Sequence, residues 1–120
     1  KCLSEYKKSS MEKVVDEIKK LPKLPSAFFC CNDIEAITLI NALKSMNISV
    51  PDDISVVGFD NIESSKNITP ELTTMHISKE AMGQRAVKSL LEKMDDPNSL
   101  CEKILLPPMF VSRNSTKRIN

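Results

Sequence analysis

Two polar pairs stand where two apolar runs end: Asn32-Asp33 after "AFFCC", Ala27 to Cys31, and Asp60-Asn61 after "ISVVGF", Ile54 to Phe59. A carboxylate accepts hydroxyl hydrogens, and a carboxamide both donates and accepts. An acid beside an amide therefore suits a polyol such as a sugar. The same residues have plainer uses. Asn32 with Glu35 is a capping-box arrangement that satisfies amides at a helix start, and Asp60-Asn61 can close a turn through its own backbone. Spacing alone leaves ligand contact and local structure open for both pairs.

Other chemistry finds little footing. The chain has two glycines, Gly58 and Gly83, and no G-x-G-x-x-G, P-loop or G-x-S-x-G pattern. Gly58 falls inside an apolar run, where it permits close packing of the backbone. The single histidine, His76, has no Cys or Ser in a catalytic arrangement and reads as structural or merely exposed. Asp52-Asp53 and Asp95-Asp96 sit beside prolines and read as solvated loops. Cys30 and Cys31 are adjacent in an extended run, so their side chains point to opposite faces. Cys2 and Cys101 match no metal-ligand spacing. The expectation is no metal, no cofactor and no enzyme activity, with reduced thiols in a cytoplasmic protein. Three N-x-S/T matches, at Asn47, Asn67 and Asn114, are taken as chance in a chain rich in these residues.

A chain of 120 residues supports one modest core. Seventeen basic and sixteen acidic residues nearly cancel, so the clustered charge of a nucleic-acid binder is missing. No apolar run approaches the roughly 20 residues needed to cross a bilayer. The sequence opens on Lys1 rather than Met, and is read as a piece of a longer protein.

The elements that must position the two pairs follow from periodicity. Met11, Val14, Val15, Ile18 and Leu21 recur at helical spacing, with Ser9 and Glu12 as a capping box, which predicts a helix over 9–21 ended by "LPKLP". "AFFCC" is apolar without alternation, as in a strand buried on both faces. The next segment predicts a helix whose stripe is Ala36, Leu39, Ile40 and Leu43, leaving Ile34 and Ile37 off the stripe. "ISVVGF" is a second buried strand, and strand–helix–strand makes a βαβ unit in a parallel sheet. Leu72 to Ile77 is a short strand, Lys79 to Met94 a helix capped by Ser78, and "KILLPPMFVSR" two short strands divided by Pro107-Pro108. The fold class is α/β, a parallel sheet with flanking helices. Ligands of open α/β sheets sit beyond the carboxyl ends of the strands, where both polar pairs stand.

Several motifs occur together in order: P-S-A-F-F-C-C-N-D, V-P-D-D-I-S-V-V-G-F-D-N, T-P-E-L-T-T and the closing I-L-L-P-P-M-F-V-S-R-N-S-T. From about Met11 to Thr116 the chain closely resembles the effector-binding core of lactose-repressor-type transcriptional regulators, a partial type I periplasmic-binding-protein-like domain. The resemblance implies that 1–76 belong to the C-terminal lobe, that 77–105 cross to the N-terminal lobe, and that 106–120 return. It implies a small-molecule effector, a sugar or sugar phosphate, held between the lobes, with Asp60 and Asn32 as contacts. Ile77 stands where the family usually places Gln, an effector- or hinge-contacting position, so that polar contact is in doubt here. It implies a homodimer through Ile34, Ile37 and Ile68, and DNA binding only through an N-terminal helix-turn-helix absent from this chain. The helix over 79–94 would lack its family packing partner and is expected to repack or to swap between chains. The alternative is a periplasmic-type sugar-binding protein of a transport system.

Overall fold

The computed structural model describes residues 3–118, with side chains from residue 10 onward. The first helix, α1, spans Leu3–Lys20. It starts well before Ser9, which therefore is not its cap; no Pro or Gly upstream breaks the turn, so the helix continues through the capping-box letters. Pro22 follows its last turn, where Lys19 and Lys20 complement the helix dipole.

Strand β1 is Ala27–Phe29 and helix α2 is Asp33–Ser45. Asn32 caps α2, its Oδ1 accepting from the Glu35 amide at 2.8 Å. The stripe of Ala36, Leu39, Ile40 and Leu43 is buried as expected. Asn47 ends the helix in the left-handed region, φ 57°. From there the Asn47 and Ile48 amides return to the Lys44 and Leu43 carbonyls, a Schellman closure. Strand β2 is Ser55–Asp60 and β3 is Thr73–His76; a 3₁₀ turn, Glu63–Lys66, lies between them. Helix α3 is Lys79–Asp95, with the Ser78 hydroxyl accepting from the Ala81 amide at 3.3 Å, and β4 is Met109–Val111.

The sheet runs β1-β2-β3-β4. The first three strands are parallel, as expected of a βαβ unit, but β4 is antiparallel to β3. Lys103 to Leu106, expected as a strand, is irregular, since no strand lies beside it to complete its hydrogen bonds. The core, formed by Ile18, Leu39, Ile40, Leu43, Ile54, Val56 and Leu72, lies on the face covered by α1 and α2. The opposite face carries Phe29, Val57, Phe59, Met75 and Phe110; the segment after β4 covers it at Thr73, and elsewhere it is open, Phe29 being 67% exposed. Two expectations therefore change: β1 is an edge strand with one face open, and β2 alternates instead of being buried on both sides.

The residues after β4 lace the sheet. Ser115 Oγ donates to the Val56 carbonyl at 2.6 Å and accepts from the Thr73 amide at 2.8 Å. The Val56 amide meets the Ser115 carbonyl at 2.8 Å, and the Thr73 and Thr116 hydroxyls are 3.0 Å apart. Cys30 is half-buried, and its thiol is pushed up to about 11 by desolvation, with Glu35 and Cys31 adding smaller effects. Helix α3 does not repack onto its own sheet. None of its residues is buried, and Val87, Leu90, Leu91 and Met94 are exposed.

Gly58 sits where β2 presses on α2. A methyl group there would collide with Asp33 Oδ1, lie 2.8 Å from Leu72 Cδ2 and crowd Ala36. Gly58→Ala should therefore destabilise the fold by about 1–3 kcal/mol in urea unfolding; an unchanged midpoint would mean that α2 yields without cost. Amides of α3 should exchange with deuterium at least about tenfold faster than those of α2, because local stability follows burial.

Candidate functional site at the carboxyl ends of the parallel strands

The three parallel strands end together, which brings Asn32, Asp60-Asn61 and His76 to one edge of the sheet. Asp60 is half-buried, with φ 106°, and Asn61 follows at φ 52°. Two consecutive non-glycine residues on the positive side of φ turn the chain sharply, at a cost of order 1 kcal/mol or more each. The backbone carbonyl of Asp60 accepts from Lys79 Nζ at 3.4 Å. Its carboxylate has no hydrogen-bond or ion-pair partner among the described residues.

Asn61 is engaged on every side. Its Oδ1 accepts from Arg113 Nη2 at 2.6 Å and from Ser65 Oγ at 3.4 Å, while its Nδ2 lies 3.2 Å from His76 Nδ1. Both residues thus make the turn, but only the Asn61 side chain is held in it by hydrogen bonds. Asn32 is the helix cap, with Oδ1 committed to Glu35. His76 is structural in the sense expected, half-buried and bonded to Asn61.

Asp33 stands out in the sequence only as half of a polar pair, with no role of its own. It is fully buried; Thr74 Oγ1 donates to Oδ1 at 2.5 Å, and the Ile62 amide donates to Oδ2 at 2.9 Å. One side chain thus ties the start of α2 to β3 and to the loop behind Asp60. Its only sequence signal was an acid at the first position of a helix opposite a Thr-Thr strand. Two aromatic rings were also overlooked as site candidates. Phe29 and Phe59 meet edge to face, ring centroids 6.5 Å apart, and form an apolar surface on the face of the sheet away from the core.

Ile77 lines a groove with Met82, Ala86, Ile104 and Leu105, between α3 and the segment that follows it. Ile34, 68% exposed, and half-buried Ile37 share a trough with Met11, Asn41 and Ile62. Ile68 does not line that trough; like Ile37 and Met11 it packs partly against the core.

The family described as a periplasmic binding protein-like domain matches residues 3–116. Over 105 residues the chain is 41% identical to the HTH-type transcriptional repressor PurR of Mannheimia succiniciproducens, covering 88% of this chain and 31% of that protein. A LacI family transcriptional regulator from Enterococcus faecium, solved with bound ribose, superposes with a TM-score of 0.77 at 30% identity, over 92% of this chain and 40% of that one. The lac repressor dimer bound to operator and the anti-inducer ONPF gives a TM-score of 0.79 at 30% identity, over 90% of this chain and 37% of that one. The chain spans about a third of the length of the curated relatives it matches. With α/β topology, strand-end site and sequence motifs in agreement, the chain belongs to the periplasmic binding protein-like domain family, as part of an effector-binding domain of the lactose-repressor type.

Proposed function

We propose that this chain is the effector-sensing part of a bacterial transcriptional repressor. A small polyol, of the ribose class, would bind beyond the strand ends and shift two lobes relative to each other. Movement of the lobes would couple effector affinity to operator affinity at a DNA-binding domain outside these 120 residues, and the coupling would be reciprocal. One observation carries the proposal: a half-buried carboxylate, Asp60, lies in a tightly held turn and has no hydrogen-bond or ion-pair partner among the described residues. The Nδ2 of Asn32, which has no partner among the described residues, would add a donor.

The lobe assignment is part of the same proposal: 1–76 and 106–120 in the C-terminal lobe, 77–105 in the excursion to the other. Support comes from the way the chain leaves the sheet after His76 and rejoins it at Met109. The relatives named above are all transcriptional regulators, which favours a cytoplasmic regulator over a component of a transport system. Homodimerisation would use the trough around Ile34 and Ile37, where apolar side chains are exposed off the core-facing stripe. Ile68, half-buried like Ile37 and packed with it against the core, would extend the same interface from the loop.

Titration calorimetry of the full-length protein with ribose and related sugars tests the site. Asp60→Ala should weaken binding roughly 10- to 100-fold, the loss of a charged hydrogen-bond acceptor. A sugar that binds both forms equally would remove Asp60 from the site. Ile37→Asp in the full-length protein should weaken the dimer at least about tenfold in sedimentation velocity, because a charge would be buried without a partner; unchanged dimer affinity would move the interface elsewhere.

A further inference from the structure

Arg113, just after β4, is half-buried and far in sequence from everything it holds. Its Nη1 donates to the Leu72 carbonyl at 2.6 Å and to Ser65 Oγ at 3.0 Å, and its Nη2 donates to Asn61 Oδ1 at 2.6 Å. None of the ion pairs among the described residues involves it. The guanidinium is therefore committed to neutral acceptors, and those acceptors belong to the loop that begins at Asp60.

A guanidinium has donors only, so the oxygen of the Asn61 amide must face it. The amide nitrogen then faces His76 Nδ1, 3.2 Å away. That nitrogen can only donate, so Nδ1 must accept and the imidazole proton must sit on Nε2. Arg113 thus sets the tautomer of His76 through one amide. The same amide is clamped between a cation and a ring at the residue that follows Asp60, where the backbone holds φ 106° and then 52°. L-residues leave that conformation unless neighbours hold them in it. The charged groups facing His76 are Asp60, its register partner on β2, and Lys79, whose ammonium reaches the Asp60 carbonyl.

We propose that Arg113 is the positioning residue for Asp60: acting through the Asn61 amide, with His76 as the far anchor, it keeps the loop in the conformation that aims the Asp60 carboxylate at a ligand. The proposal rests on Asp60 being an effector contact. It adds a residue that touches no ligand and yet sets the affinity.

The test joins nuclear magnetic resonance to calorimetry on the full-length protein. The His76 imidazole resonances, assigned by their loss in His76→Gln, should report the Nε2–H form. In Asn61→Asp a carboxylate oxygen replaces the amide nitrogen at Nδ1, and Nδ1 should become protonated. Arg113→Met should weaken ribose binding at least about tenfold and shift the Asp60 carboxyl-carbon resonance. Arg113→Lys, which keeps a charge and a donor, should recover part of the affinity. If Arg113→Met does not fold, Asn61→Gly replaces it, because glycine adopts positive φ freely and the substitution removes only the anchor; it too should lose affinity. A protonated Nδ1 in the parent protein, or a positioning variant with unchanged Asp60 resonance and unchanged ribose affinity, would overturn the proposal. If ribose fails to bind even the parent, the function proposed above loses its ligand class. The role of Arg113 is then decided by the Asp60 resonance, which Arg113→Met must move.

Discussion

The buried carboxyl group of Asp33 is the point on which the rest of this structure depends. A carboxylate taken out of water is costly unless its oxygens are bonded, and here each oxygen has a donor, one from β3 and one from the loop after β2. Its place in the first turn of α2 adds the favourable field of the helix amino end. Gly58 is the complement, because only a residue without a side chain lets β2 come so close to that oxygen. Three elements are thereby locked in register at the end of the sheet where the candidate site lies.

The site inherits its character from that lock. With the loop after β2 tied down by Asp33 from one side and by Arg113 from the other, Asp60 and Asn61 can hold positive φ, and the Asp60 carboxylate has no partner among the described residues.

The uncovered surfaces follow the same logic in reverse. Phe29, Phe110 and the stripe of α3 expose more apolar area than a self-sufficient domain of this size ordinarily leaves in water. The chain spans about a third of its curated relatives, and its ordered core is confined to the face where α1 and α2 supply cover. Open face and open helix are where a larger assembly of the family type would bury surface.

Much of the local structure was legible from letters alone. Proline and apolar spacing gave the end of α1, Asn32 with Glu35 gave the cap of α2, and the stripe Ala36, Leu39, Ile40 and Leu43 gave its buried face. These depend on neighbours within a turn or two, so sequence determines them. The alternation in β2, the edge position of β1 and the antiparallel β4 were not legible, because burial and pairing of a strand depend on which elements lie beside it. The same distinction runs through the site. Sequence by itself placed Asp60 and Asn32 beyond strand ends and could not separate turn former from ligand contact. Tertiary structure decided which side chains are held, Asn61 by Arg113 across 52 residues and Asp33 by Thr74 across 41, and contacts of such separation leave no local pattern to read.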